Sequence, residues 1–506
     1  MAIGRTTARL RAVPGRTEHV IVVGAGMAGL AATLHLLGAG REVTVVERDP
    51  HPGGRAGRMD IDGFRIDTGP TVLTMPTLLD EALSAVGESV RDRLDLVPLA
   101  PAYSAAFADG STIDVHTDAE TMAEEVERAA GPREAAGYLR LREWLRRLYE
   151  LEMRRFIDTN FDSPLELLSP ELVRLAVLGG FGRLAPAISR FLSDERLQRI
   201  FSFQALYAGV PPRRALAAYA VIAYMDTVAG VFFPRGGMRA LGDALAGAAA
   251  KAGAAVRFNE TVTRMERRGD RVSAVITADG ERIACDAVVL TPDLPMSYRL
   301  LGRVPWRPVP LRFSPSAVVL HAGVDRSWGR TEHHTISFGA AWDRTFDEIT
   351  RQGRTMSDPS LLITRPTATD PALAPSGHEL YYVLAPCPNL RAGGPDWRTA
   401  APRYRDEIVR TLEERGLDGF GAAIVTEHLA TPLDWERQGL AFGTPFATSH
   451  TLAQTGPFRP RNLVAGVSNA VLAGCGTTPG VGLPTALISG KLAAARIAPI
   501  PRAGSR

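Results

Sequence analysis

His19-Val-Ile-Val-Val-Gly24-Ala-Gly26-Met-Ala-Gly29 opens the readable part of this chain, and Val43-Thr-Val-Val-Glu47 closes the unit it begins. The β-branched run His19–Val23 predicts a short buried strand, and Val43–Glu47 a second. Between them, Leu30 to Gly38 carries helix formers with an apolar face, so the stretch reads as one strand–helix–strand unit of about 30 residues. Glycines are required at the turn for separate reasons. Gly24 permits the tight bend, Gly26 leaves room for a pyrophosphate, and Gly29 lets helix and strand pack closely. Backbone N–H groups at the helix start then meet the phosphates. Glu47 lies 18 residues after Gly29, placed to accept ribose hydroxyls and to repel a 2′-phosphate, which disfavours NADP. A dinucleotide-binding unit follows.

Immediately beyond come Arg48-Asp-Pro-His-Pro-Gly-Gly54-Arg55 and Asp67-Thr-Gly69-Pro70. A nicotinamide site has no need of a second glycine pair with an arginine. A flavin, whose ribityl arm runs past the pyrophosphate, uses an added loop with a fixed cation. Glu47 followed by Gly53-Gly54-Arg55 resembles the motif of the FAD-dependent amine oxidase and carotenoid desaturase superfamily. Leu472-Ala-Gly474-Cys-Gly-Thr-Thr-Pro-Gly480-Val-Gly482-Leu483-Pro484 resembles the closing FAD motif of bacterial phytoene desaturases of the actinobacterial type, within the carotenoid/retinoid oxidoreductases. Phe233-Pro-Arg-Gly-Gly-Met238 and Asp67 to Pro76 fit the same branch, and the likeness runs from about residue 18 to about 497. Cys475 stands where the wider superfamily is usually acidic. A small residue is common there in the carotenoid branch, so Cys475 reads as a spacer.

The resemblance implies an α/β fold in which a Rossmann-type FAD domain (18–100, 236–292 and 430–497) is interleaved with an α+β substrate domain having a helical part (101–235 and 293–429). It implies FAD held by Gly24, Ala25, Gly26, Gly29, Glu47 and Arg48, by Gly54, Arg55 and Gly69, and by the closing segment at Gly474, Gly480, Gly482 and Leu483. The chain near Val262 would pass the adenine. The implied activity is stepwise oxidation of phytoene toward lycopene. A ketolase, an isomerase, an amine oxidase or a flavin-free prenyl-lipid carrier are the alternatives, the last opposed by the intact Gly24–Gly29, Glu47 and Arg55.

The rest of the chain bounds these readings. With 506 residues and 45% hydrophobic content the protein is an ordinary globular one. A net charge of +3 gives no footprint for nucleic acid. Lys251 and Lys491 are the only lysines among 58 basic residues, and the arginines are spread along the chain. Cys285, Cys387 and Cys475 form no disulfide framework or metal pair, which fits a reducing cytoplasm. His333-His334 lacks partner ligands at metal spacing, so no metal is expected. Residues 1–17 read as a loose basic tail. Residues 132–203 read as helical, divided by Pro164, Pro170 and Pro186, with Val256 to Thr291 a β-meander and 304–315 a proline-rich linker.

Loss of a hydride and a proton from adjacent carbons needs a flavin for the hydride. Asp226, inside the apolar run Tyr219–Phe233, is a candidate proton acceptor if it is buried with a raised pKa; a helix-end or ion-paired aspartate is the alternative, and no catalytic side chain is assigned. No second Gly-x-Gly-x-x-Gly unit follows, so a quinone or oxygen is expected to take the electrons. An insoluble hydrocarbon substrate points to the inner face of the cell membrane. Two arginine-bearing amphipathic stretches, Leu139–Phe156 and Leu172–Leu192, are the expected surface contacts.

Overall fold

The computed structural model describes residues 10–329 and 331–500. Its first sheet is five parallel strands in the order Ala255–Arg257, Glu42–Val46, His19–Val23, Ala287–Leu290, Ala470–Leu472. Apart from the edge strand Ala255–Arg257, these strands are largely apolar on both faces because both are covered. Val20, Val22, Val43, Val45 and Val289 turn toward the helices. Ile21, Val23, Val46, Val288 and Leu290 turn toward a three-stranded antiparallel layer, Val262–Arg268, Arg271–Thr277 and Arg282–Ala284. The expected meander is therefore these three strands alone, and its two flanking apolar runs join the parallel sheet.

The helices Met27–Gly38 and Leu483–Ile497 cross at their small residues. A Cβ on Gly490 would lie 2.2 Å from the Ala28 carbonyl oxygen, so the crossing needs glycine. This contact brings the two ends of the chain together over the sheet.

A second sheet has seven strands, in the order Ile424–Ala430, Ser316–Val324, Glu379–Cys387, Leu361–Thr364, His334–Ser337, Tyr103–Ala106, Thr112–Val115. Alternation with period two divides its residues. Val318, Leu320, Tyr381, Val383 and Ala385 pack on the helix Trp397–Glu414. Ala317, Val319, His321, Tyr382 and Leu384 face the other way, into a cavity.

Three expectations are corrected. Of the supposed tail, residues 1–9 lie outside the described residues, but residues 10–17 are tied down. Val13 N donates to the Arg496 carbonyl, the buried Arg496 guanidinium donates to the Arg11 carbonyl, and Thr17 Oγ1 donates to the Ile497 carbonyl. The stretch 139–156 does not offer its apolar stripe to a membrane. Most of it lies in the helix Pro132–Glu152 and its end in the π-turn Met153–Ile157; Leu141, Leu145 and Leu148 are wholly inside the core, and Arg146 and Arg147 pair with Glu143. The stretch 172–192 is two short helices, Pro170–Val177 and Leu184–Ile188, not one.

Candidate functional site

Ligands of parallel sheets sit beyond the carboxyl ends of the strands. Here those ends supply Val23 and Gly24, Val46 and Glu47, Thr291 and Asp293, and Gly474, all bordering one cavity of about 1000 Å³. The first glycine loop is held by the second strand. Gly24 N donates to the Val46 carbonyl (2.8 Å), and the buried Glu47 accepts from Ala25 N (Oε2, 2.6 Å) and Asp49 N (Oε1, 2.9 Å). Each carboxylate oxygen keeps a lone pair for a further donor. Ala25 thus shapes the loop through its backbone.

Gly24 and Gly29 are packing glycines. A Cβ on Gly29 would meet the Gly24 carbonyl oxygen at 2.0 Å, and one on Gly24 would meet Thr291 Oγ1 at 2.3 Å. Gly26 is different, because its nearest neighbour is Gly54 Cα at 3.9 Å; the space beside it is open. The helix it begins, Met27–Gly38, has neither a capping side chain nor an acidic residue in its first turn. Its first N–H groups await an acceptor from outside the chain. The same holds for Leu483–Ile497, whose cap is Gly482. Two uncapped helix starts open onto one cavity, which suits an anionic, phosphate-bearing cofactor.

The second glycine pair docks on the first loop. Gly53 N donates to the Ala25 carbonyl (2.9 Å), and Gly54, at positive φ, sits 3.0 Å from Gly26 Cα by its would-be Cβ. Gly69 lies so close to the Arg55 carbonyl, 1.8 Å for a Cβ, that only glycine fits. Arg55 is steadied by the Pro445 carbonyl (2.7 Å) and lies 3.8 Å from Asp293. Arg48 reaches the Gln438 carbonyl and is half exposed at the rim. Thr261 and Val262 border the cavity at the start of the antiparallel layer.

The closing turn is held from behind. Gly480 faces His450, whose Cε1 a Cβ would meet at 2.2 Å. His450 Nε2 accepts from Val481 N (3.3 Å) and its Nδ1 lies 3.0 Å from Tyr219 Oη, which in turn contacts Thr455 Oγ1. Burial holds His450 neutral, well below the usual imidazole range. Its proton is then on Nδ1, directed at Tyr219. The fully buried Arg459 donates to the carbonyls of Thr477 (2.9 Å) and Cys475 (2.6 Å), fixing the same turn. Cys475 is a free, half-buried thiol whose backbone does the work.

Beyond the glycine loops the cavity becomes apolar, lined by Val221, Ile222 and Met225 from the helix Ala220–Thr227 and by the inner face of the seven-stranded sheet. Asp226 is 2% exposed there, and burial raises its pKa well above the carboxylate range. Tyr103 Oη donates to its Oδ2 (3.3 Å) and Gln204 Nε2 to its Oδ1 (3.5 Å). His333 and His334 are buried and neutral on the sheet, and no group of His, Cys, Asp or Glu among the described residues suits a metal.

Sequence matching assigns residues 27–498 to the family of flavin-containing amine oxidoreductases. A phytoene dehydrogenase of Streptomyces griseus is 69% identical over 487 residues, 96% of each chain. This chain belongs to that flavin family, in its carotenoid-desaturase branch, and FAD is its cofactor. A zeta-carotene-forming phytoene desaturase of Myxococcus xanthus is 35% identical, covering 95% of this chain and 94% of its own. A putrescine oxidase variant is a structural neighbour with a TM-score of 0.62 at 15% identity, over 95% of this chain and 98% of its own. That likeness speaks to fold.

Three groups on the cavity wall escaped the sequence reading: Asp293, Tyr219 with His450, and Glu152. Thr291-Pro-Asp293 directly follows an apolar strand, as Gly24 does, which was a usable signal. Glu152 continues the helical stripe Leu141, Leu145, Leu148, and a carboxyl on an apolar stripe was another. Nothing local announces the Tyr219–His450 pairing across 231 residues.

Proposed function

We propose that this protein oxidises phytoene stepwise toward lycopene at the inner face of the cell membrane. FAD, when bound, supplies the hydride acceptor. The observation that carries the reading is the continuity of the cavity, from glycine loops suited to a dinucleotide to an apolar chamber suited to hydrocarbon. The residues proposed to hold the cofactor are those of the glycine loops. Glu47 takes the ribose, the first turn of Met27–Gly38 the pyrophosphate, and the Gly480–Leu483 turn the ring. Ala317, Val319 and Leu384 line the chamber with aliphatic carbon, which excludes water from the reacting chain.

Access from lipid is supported by the rim. Phe181, Leu452 and Phe458 border the cavity and are exposed, and Leu165, Leu168, Val173 and Val177 stand exposed in the neighbouring segment. Phe161 and Ser163 share a small cleft with Gly456 and Pro457, so these two segments meet beside the cavity. Arg174 and Arg190 are exposed and have no ion pair among the described residues. An apolar patch flanked by cations fits an anionic lipid surface. No helix among the described residues is long and apolar enough to cross a membrane.

The chain carries one Gly-x-Gly-x-x-Gly loop, Gly24–Gly29, which favours reoxidation by quinone or oxygen over a nicotinamide. The test is incubation of purified protein with FAD, phytoene in liposomes and either acceptor, followed by chromatography. Stepwise lengthening of the conjugated polyene supports the reading. An oxygenated product or an isomer of unchanged mass would replace it with a ketolase or an isomerase.

A further inference from the structure

Two buried carboxyl groups border the apolar chamber, and they are not equivalent. Asp226 has a neutral donor at each oxygen, Tyr103 and Gln204. Glu152 has none. It is 5% exposed, its Oε1 is sealed without a hydrogen-bond partner, and it makes no ion pair among the described residues. It is also one of the residues that line the cavity.

Packing gives no reason for it. Glu152 extends the stripe of Leu141, Leu145 and Leu148, all fully buried, where an aliphatic side chain would gain burial energy and a carboxyl loses hydration. The backbone is irregular at the same point. The α-helix ends at Glu152 and the next turn, Met153–Ile157, is a π-helix, a distortion that recurs at functional sites. An unpartnered carboxyl and a distorted helix coincide on the wall of the chamber.

We propose that Glu152 is the proton acceptor of the desaturation. The inference rests on the desaturase reading above. The carboxylate takes the proton from the carbon adjacent to the one that loses hydride. The broken C–H bond leaves its electron pair in the new C=C bond, the O–H bond forms on Glu152, and the flavin is the oxidant for the paired hydride. Burial alone raises its pKa, and no cation among the described residues offsets that rise. Tyr219, itself held neutral by burial, feels its charge and also that of Arg459. A base so placed is strong once ionised, and the polyene around it offers no competing acceptor.

The experiment is anaerobic single-turnover bleaching of the bound flavin by phytoene in liposomes, followed across pH. Wild type is expected to speed up as pH rises through the raised carboxyl pKa. Glu152→Gln is expected to slow bleaching by about 10²- to 10⁴-fold, the range of general-base contributions, and to flatten the pH profile. FAD affinity by fluorescence titration should change less than about twofold in the same variant, the ordinary scatter of a distant substitution. Glu152→Leu completes the apolar stripe, so it should raise Tm while abolishing bleaching; a merely structural glutamate would give a lower Tm. Bleaching by Glu152→Gln at wild-type rate and with the wild-type pH profile would overturn the assignment, as would loss of the pH dependence in Asp226→Asn but not in Glu152→Gln. If wild type with FAD bound is not bleached by phytoene at all, the desaturase reading falls and this proposal falls with it.

Discussion

Gly26→Val tests the cofactor site where the fold is indifferent. Gly26 has φ −75° and ψ 174°, extended backbone that valine adopts readily. Its would-be Cβ touches only Gly54 Cα, at 3.9 Å, so the branched side chain projects into open space without displacing protein. Losing a glycine cap in favour of an apolar residue costs up to about 1 kcal/mol of stability. The cofactor suffers more. The valine methyls occupy the space in front of the first-turn N–H groups, and two lost hydrogen bonds to a charged phosphate are worth about 3–6 kcal/mol at 1.5–3 each. That is roughly 10²- to 10⁴-fold in Kd. The assay is fluorescence titration of apoprotein with FAD beside a thermal melt of the same apoprotein. The contrast is Gly29→Ala, whose Cβ would sit 2.0 Å from a backbone oxygen, so it should damage the fold itself. A Gly26→Val protein that purifies yellow with full FAD would refute the assignment of this loop to the pyrophosphate.

Further outcomes follow from the same geometry. Glu47→Gln should set an amide N–H against a backbone N–H, Ala25 or Asp49, weakening FAD by about 10- to 100-fold from one lost charged hydrogen bond; titration with near-normal turnover at saturating FAD checks it. Gly480→Ala should push His450 aside and lower FAD occupancy, and the second change His450→Gly should restore much of it, measured as a double-mutant cycle. Asp67 accepts from Met238 N, and burial pushes its carboxyl up to about 7. The folded state therefore binds more protons than the unfolded one between about pH 4 and 7, and stability falls as pH rises through that window. Asp67→Asn should flatten this part of the Tm–pH curve. Phe458→Glu with Leu452→Glu should abolish flotation with anionic liposomes and leave Tm within about 2 °C of wild type, as surface changes away from packed features do.

The sequence by itself determined the strand–helix–strand unit from His19 to Glu47 and the closing turn from Gly474 to Leu483. Their requirements are local: a strand needs buried β-branched residues, and a phosphate loop needs positions without a Cβ, so residue identity states both. Other features are settled only by contacts between distant segments. Residues 10–17 look like a basic tail until Arg496, wholly buried at the other end of the chain, accepts and donates to their backbone. The arginine-rich helix Pro132–Glu152 looks ready for a lipid surface until its stripe is found inside the core, because amphipathicity names an apolar face without naming what covers it. The motif already assigns Gly26 to the pyrophosphate and Gly29 to packing, but that a Cβ on Gly24 would strike Thr291, 267 residues away, is settled only by the fold. Glu152 is marked in the sequence only by its place on an apolar stripe. It becomes singular when segments more than sixty residues away along the chain, at Tyr219 and beyond, close around it and remove water from one carboxyl. Desolvation is a sum over neighbours from the whole chain, and only tertiary structure performs that sum.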